Sequence, residues 1–434
     1  MRRRGVASLL AAVLIAAAGS VVAETGPRRV VLPNRFTVLV HENPVAPVVA
    51  VSLFVRMGTR WERPEAAGLS NFVHAVMVKG TTRRGGSDLA EAVAGLGGKI
   101  SASGDVDYSE IRGTALARFW RELLELTAEL ALTPKLDPAE VDREREWLQS
   151  RVQRRRDNAA ARVFDEFYAA LYGRHPYAIP ALGTRESLAA IDAEAIVAAY
   201  QTFYRPERMT LAVSGQVSAA EVVAEAERLF GGMASGGVVA DPPIPAPRPV
   251  ARRVIIDQPS QQTQIVVGAL APSLDHADHA AVKVLATVLG GGMAGRLFVE
   301  LRDKSALAYT ATAFYDPVRE PGVLAMYLGA APANAARAEE ALRREIARVQ
   351  REAVPADELA RAKGYLLGKY AMDRRTNERQ TWYLNFYEVE GVGQEYPARY
   401  RRAVEGVTSA DVQRVAKTYL DTLTTVVLGP PRAR

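Results

Sequence analysis

GTRWERPEAAGLSNFVHAVMVKGT, residues 58–81, holds a helix between two clear punctuation marks. Periodicity predicts the helix over residues 68–78, with Gly68-Leu69 at its start and Lys79-Gly80-Thr81 after its end. Asn71, His74 and Ala75 stand at i, i+3 and i+4, so they share one face of that helix. Taken in isolation they are three positions of an amphipathic helix.

Outward from this helix the pattern is of mixed strands and helices. A hairpin is expected around Pro33-Asn34, a strand at residues 48–55, a helix at 118–132 and a long charged helix from 139 to about 157. Residues 235–250 read SGGVVADPPIPAPRPV, in which proline fixes an extended backbone and removes amide donors, the composition of a semi-rigid linker. Both sides of it close in the same order. Residues 191–215 and 407–429 each give an amphipathic helix followed by a short β run ending in glycine, with Ile196, Ala199, Tyr200 and Phe203 in the first and Val412, Val415, Ala416 and Tyr419 in the second at helical spacing. Two α+β repeats are therefore expected: residues 24–235, a linker at 236–252, and residues 253–434.

Composition narrows the function classes. The chain has 434 residues, 48% hydrophobic and 24% charged, which is a globular balance. Residues 1–23 carry three arginines, an apolar run of about 14 residues and Val21-Val22-Ala23, the pattern of a secretory signal. That run is too short for a bilayer span, and no membrane span is expected downstream. The net charge is +6, and three arginines lie in the leader, which has no acid, leaving an excess of +3 that gives no reason to expect nucleic acid. There is no cysteine, so neither disulfides nor thiolate metal sites are available.

Framed by that dipeptide and tripeptide, residues 58–81 resemble the active-site stretch of the pitrilysin/insulinase family of zinc peptidases, in which an inverted His-x-x-Glu-His motif sits on a helix between Gly-Leu and Lys-Gly-Thr. Residues 173–191, 203–217 and 290–310 (GGGMAGRLFVELRDKSALAYT) resemble further stretches of that family, so the likeness covers nearly all of the mature chain. The resemblance implies two homologous domains, each a mainly antiparallel sheet backed by helices, together half of a clam-like peptidase chamber.

It also implies a lost metal site. Asn71 stands where the first zinc histidine belongs, His74 where the catalytic glutamate belongs, Ala75 where the second histidine belongs, and Arg151, within DREREWLQSRVQ (142–153), where the third ligand belongs. Hydrolytic zinc needs three imidazole or carboxylate ligands and a carboxylate to take the water proton. Alanine offers none, an amide is weak and a guanidinium stays protonated. No zinc is expected here, and Arg151, hydrogen-bonded to Asn71, is expected to replace its charge.

Arg302 and Tyr309, seven apart, match the pair that the family's C-terminal domain presents across the chamber to grip substrate and stabilise an oxyanion. Residues 97–113, GGKISASGDVDYSEIRG, match the edge strand that binds extended peptide, with Ser101-Ala102 in place of Asn-Ala. The resemblance therefore implies the non-metal subunit of a periplasmic or secreted heterodimeric peptidase, without peptidase activity of its own, whose zinc resides in a paralogous partner. A peptide-binding scaffold is the alternative, and a hydrolase built on His74 is a third. Gly290-Gly291-Gly292 is read as a helix stop, and His276 and His279 as solvated.

Overall fold

The computed structural model describes residues 26–236 and 240–431. The leader read at residues 1–23, and three residues of the proline-rich linker, lie outside the described residues.

The first half forms β1 (Arg28–Val31), β2 (Thr37–Glu42), β3 (Val48–Val55), α1 (Leu69–Met77), α2 (Gly86–Gly95), β4 (Lys99–Gly104), β5 (Ser109–Leu116), α3 (Trp120–Leu132), α4 (Pro138–Asp157), α5 (Ala159–Tyr172), α6 (Arg185–Ala190), α7 (Ala193–Phe203), β6 (Met209–Gly215) and α8 (Ala219–Phe230). Its sheet runs β1-β2-β6-β3-β5-β4, parallel only between β2 and β6. The expected hairpin, the strand at 48–55 and the long charged helix are all present.

The second half forms β7 (Arg252–Asp257), β8 (Thr263–Ala271), α9 (His279–Gly290), a π-helical stretch at Phe298–Lys304, β9 (Thr310–Asp316), β10 (Gly322–Ala330), α10 (Ala335–Arg351), α11 (Ala356–Asp373), α12 (Asn377–Val389), α13 (Tyr396–Gly406), α14 (Ser409–Tyr419) and β11 (Thr424–Gly429). Its sheet, β7-β11-β8-β10-β9, repeats the first with β7 in the place of β2, again parallel only at β7 and β11. The duplication read from the sequence is thus a duplication of topology.

The central strands β6, β8 and β11 are buried at every residue rather than at alternate ones, which requires cover on both faces of each sheet. One face is covered by the half's own helices. The other is covered by a helix from the opposite half. Phe167 and Val163 of α5 pack with Val266, Ala325 and Val426 of the second sheet. Leu384 of α12 packs with Leu39 and Ala212 of the first, and Asn385, wholly buried, donates through Nδ2 to the Ser52 carbonyl at 2.8 Å. The halves are therefore interlocked by exchanged helices.

Candidate functional site

The helix carrying the degenerate motif is fixed at both ends. The Glu62 carboxylate accepts from the backbone amides of Gly68 (2.8 Å) and Ser70 (2.7 Å), capping α1 from the turn before it. Gly68 has φ +88, and a Cβ there would lie 2.7 Å from the Gly183 backbone, so only glycine fits. Beyond the other end, Lys79 pairs with Glu144 of α4 at 2.7 Å.

On this helix His74 is completely buried. Its Nδ1 lies 2.7 Å from the Ser70 carbonyl, which can only accept, so Nδ1 carries the proton and Nε2 accepts from the Tyr204 hydroxyl at 2.7 Å. Burial pushes its pKa down to about 4, which keeps the ring neutral. With both nitrogens committed and no accessible surface, His74 cannot reach a substrate, which removes the hydrolase reading built on it.

Asn71 is buried, and its Nδ2 has no hydrogen-bond partner among the described residues. Ala75 is half-buried against the core of the first half. The expected hydrogen bond between Arg151 and Asn71 is not formed: the Arg151 guanidinium lies 4.7 Å from the Trp147 ring on its own helix. A planar cation one turn from an exposed indole gains more by stacking on it than by burying itself beside an amide. An amide, a methyl group, a fully hydrogen-bonded imidazole and a guanidinium do not fit zinc. Among the described residues, no three His, Asp or Glu side chains come together in a metal-binding group.

The strand bearing Ser101 and Ala102 is β4, an edge strand with one unpaired side. Ser101 is exposed and its hydroxyl accepts from Arg112 Nε at 3.1 Å, while Ala102 is half-buried. A Cβ on Gly104, the last residue of β4, would lie 2.8 Å from the Asn71 amide nitrogen, so the free edge ends against the degenerate motif.

Arg302 and Tyr309 lie on the second half, on and just after the π-helical stretch. Both are exposed, Tyr309 to 62%. Arg302 sits 4.8 Å from the Phe298 ring, and the Tyr309 amide donates to the Gly329 carbonyl at 2.8 Å, fixing its backbone to the end of β10. No hydrogen bond, ion pair or ring contact joins either residue to Asn71, His74 or Arg151 within the chain.

None of these positions lines the large cavity, about 1370 Å³, between the halves. It is walled by Tyr108 and Tyr168 from the first half and by residues of α9 and α11–α13 from the second. His279 lies on it and is buried rather than solvated, accepting or donating at Nε2 to the Tyr396 hydroxyl (2.7 Å) and at Nδ1 to that of Tyr315 (3.2 Å). His276, three residues earlier, is exposed as expected. The one sequence signal for this cavity was Lys283, a lone charge in the otherwise apolar helix HAAVKVLATVLG.

Residues 37–185 match the family model described as Insulinase (Peptidase family M16), and residues 190–366 match that of the Peptidase M16 inactive domain. Similar curated proteins include an uncharacterized zinc protease of Mycobacterium leprae, 27% identical over 419 residues and covering 93% of this chain and 92% of that one. Another, of Rickettsia bellii, is 24% identical, covering 92% and 96%. Among solved structures, a peptidase M16 inactive domain from Pseudomonas fluorescens aligns with TM-score 0.86 at 22% identity, over 94% of this chain and 99% of that one. A protease from Helicobacter pylori aligns with TM-score 0.87 at 21% identity, over 93% and 99%.

Proposed function

Since the chain belongs to the insulinase family of peptidases, M16, we propose that it is the non-catalytic subunit of a heterodimeric zinc peptidase, working in the periplasm or outside the cell. The observation that carries the reading is an asymmetry. The four positions that should bind metal and activate water hold groups that can do neither, while Arg302 and Tyr309 are intact and exposed.

In this reading each subunit supplies what the other lacks. A paralogous partner holds the zinc and the carboxylate that takes the water proton, and this chain closes over the peptide as the other half of the chamber. Arg302 and Tyr309 are donors for the substrate carbonyl, where a preformed positive field is worth most as negative charge develops on oxygen. The unpaired side of β4 offers backbone amides and carbonyls to an extended peptide beside Ser101 and Ala102.

The test is a native pull-down of the tagged mature chain, followed by peptidase assays of the chain, its partner and the mixture. Hydrolysis only in the mixture, abolished by Arg302→Ala on this chain, is the expected result. Recovery of this chain alone, able to bind but not cleave unfolded peptide, establishes the scaffold reading instead.

A further inference from the structure

The inter-domain cavity carries chemistry that the peptidase reading leaves unused. Lys283, on α9, is surrounded by protein and retains accessible surface only in part, on the cavity it lines. Its ammonium donates to the Tyr315 carbonyl at 2.6 Å and lies 5.2 Å from the Tyr315 ring. Among the described residues it forms no ion pair with a carboxylate. Lys369, on α11, lines the same cavity and has neither hydrogen bond nor ion pair among the described residues. The two ammonium groups repel each other, and that repulsion adds to burial in pushing the Lys283 pKa down to about 8.

Most acids that line the cavity are held by other groups: Asp107 by the Tyr177 hydroxyl and Arg60, Glu166 by Arg162, and Asp105 by the Val106 amide. Asp165 is gripped by Arg155 through two 2.7 Å bonds, and Asp373 by Arg379 at 2.6 Å and the Tyr383 hydroxyl at 2.5 Å. Burial and the neighbouring Asp107 raise the Glu390 pKa well above the usual carboxylate range, which favours its neutral form. Asp316, the last residue of β9, attracts Lys283 but forms no ion pair with it among the described residues. A buried, incompletely paired cation is costly, and an anion entering from the cavity would relieve that cost.

The walls select what such an anion is attached to. Tyr370 and Tyr387 hydrogen-bond to each other at 2.6 Å, and the Tyr396 hydroxyl is taken by His279. Their hydroxyl groups are satisfied within the protein, so they offer the cavity mainly ring carbon. The volume, about 1370 Å³, exceeds that of usual small-ligand pockets, roughly 300–1,000 Å³. We propose that this cavity binds a long-chain carboxylate, with its head group between Lys283 and Lys369 and its apolar body along the tyrosine walls. Arg302, Tyr309, Ser101 and Ala102 do not line it, so binding in this cavity and the peptidase reading are tested separately.

The experiment titrates full-length mature protein with cis-parinaric acid and, in parallel, with its methyl ester. Saturable binding of the acid near one equivalent is expected, with the ester markedly weaker. Lys283→Met should weaken the acid by about 10- to 100-fold, as loss of a charge-assisted bond predicts, and leave the ester unchanged. Lys369→Met, at an exposed position that cannot disturb the core, should weaken the acid by a smaller factor and keeps the test decisive if the first variant fails to fold. Equal binding of acid and ester, or acid binding indifferent to both substitutions, overturns the proposal. So does displacement of the probe by peptides with a free C-terminal carboxylate at lower concentrations than by oleate.

Discussion

Acid should weaken the first half of the protein through His74. The folded imidazole has its pKa pushed down to about 4, whereas the unfolded one titrates near 6.5. Between those values the unfolded chain binds the extra proton and the folded chain does not, so stability is full above pH 6.5 and is lost as pH falls toward 4. At pH 5 the linkage from this residue alone comes to about 2 kcal/mol. His175, also held near 4, and His279, near 3, push in the same direction. The perturbation that isolates His74 is His74→Leu. At pH 7 it should cost about 1–3 kcal/mol, because the Tyr204 hydroxyl keeps only the Met77 sulfur, 3.3 Å away. Leucine does not titrate, however, so the gap between parent and variant should shrink by about 2 kcal/mol between pH 7 and pH 5. Urea unfolding followed by circular dichroism at both pH values measures the gap, with the transition of the first half resolved by hydrogen exchange at β3 and β6. A gap that stays constant to within a few tenths of a kcal/mol would refute the buried neutral imidazole and the hydrogen-bond assignment behind it.

Restoring the family motif through Asn71→His, His74→Glu, Ala75→His and Arg151→Glu together should confer about one equivalent of zinc by elemental analysis, while Asn71→His alone should confer none, because tight binding needs three ligands. A folded fourfold variant without zinc would mean that α4 no longer presents residue 151 to α1. Asn385→Ala should cost about 1–3 kcal/mol, since it removes two buried bonds to Ser52, and should speed exchange in β3 and in α12 together, although they belong to opposite halves. Arg302→Ala and Tyr309→Phe should leave the melting temperature of the isolated chain within about 1 °C of the parent, because exposed side chains away from structural features contribute little.

Much of the fold was legible because it is local. The framing of α1, the alternation from helix to strand at residues 191–215 and 407–429, and the proline-rich crossing each depend on neighbours in sequence. The degenerate positions were legible for the same reason: Asn71, His74 and Ala75 lie in one helical turn, and their residue types alone exclude a zinc site. Arg151 was harder, since sequence gives its helix but not which way a long flexible side chain turns, and it turned to Trp147.

What the sequence determined by itself, then, was two repeats of one topology and residue types at Asn71, His74, Ala75 and Arg151 that do not supply three zinc ligands. The tertiary structure alone decided the exchange of α5 and α12, the burial of His279, and the enclosure of Lys283. Periodicity says that a face of a helix is buried, never against which partner. In α12 even the face is ambiguous, because Leu384 and Asn385 pack on the first sheet while Trp382, Tyr383 and Phe386 line the cavity, leaving apolar groups on both sides. Contacts between residues hundreds of positions apart arise only when the whole chain closes, and the cavity between the halves is made of such contacts.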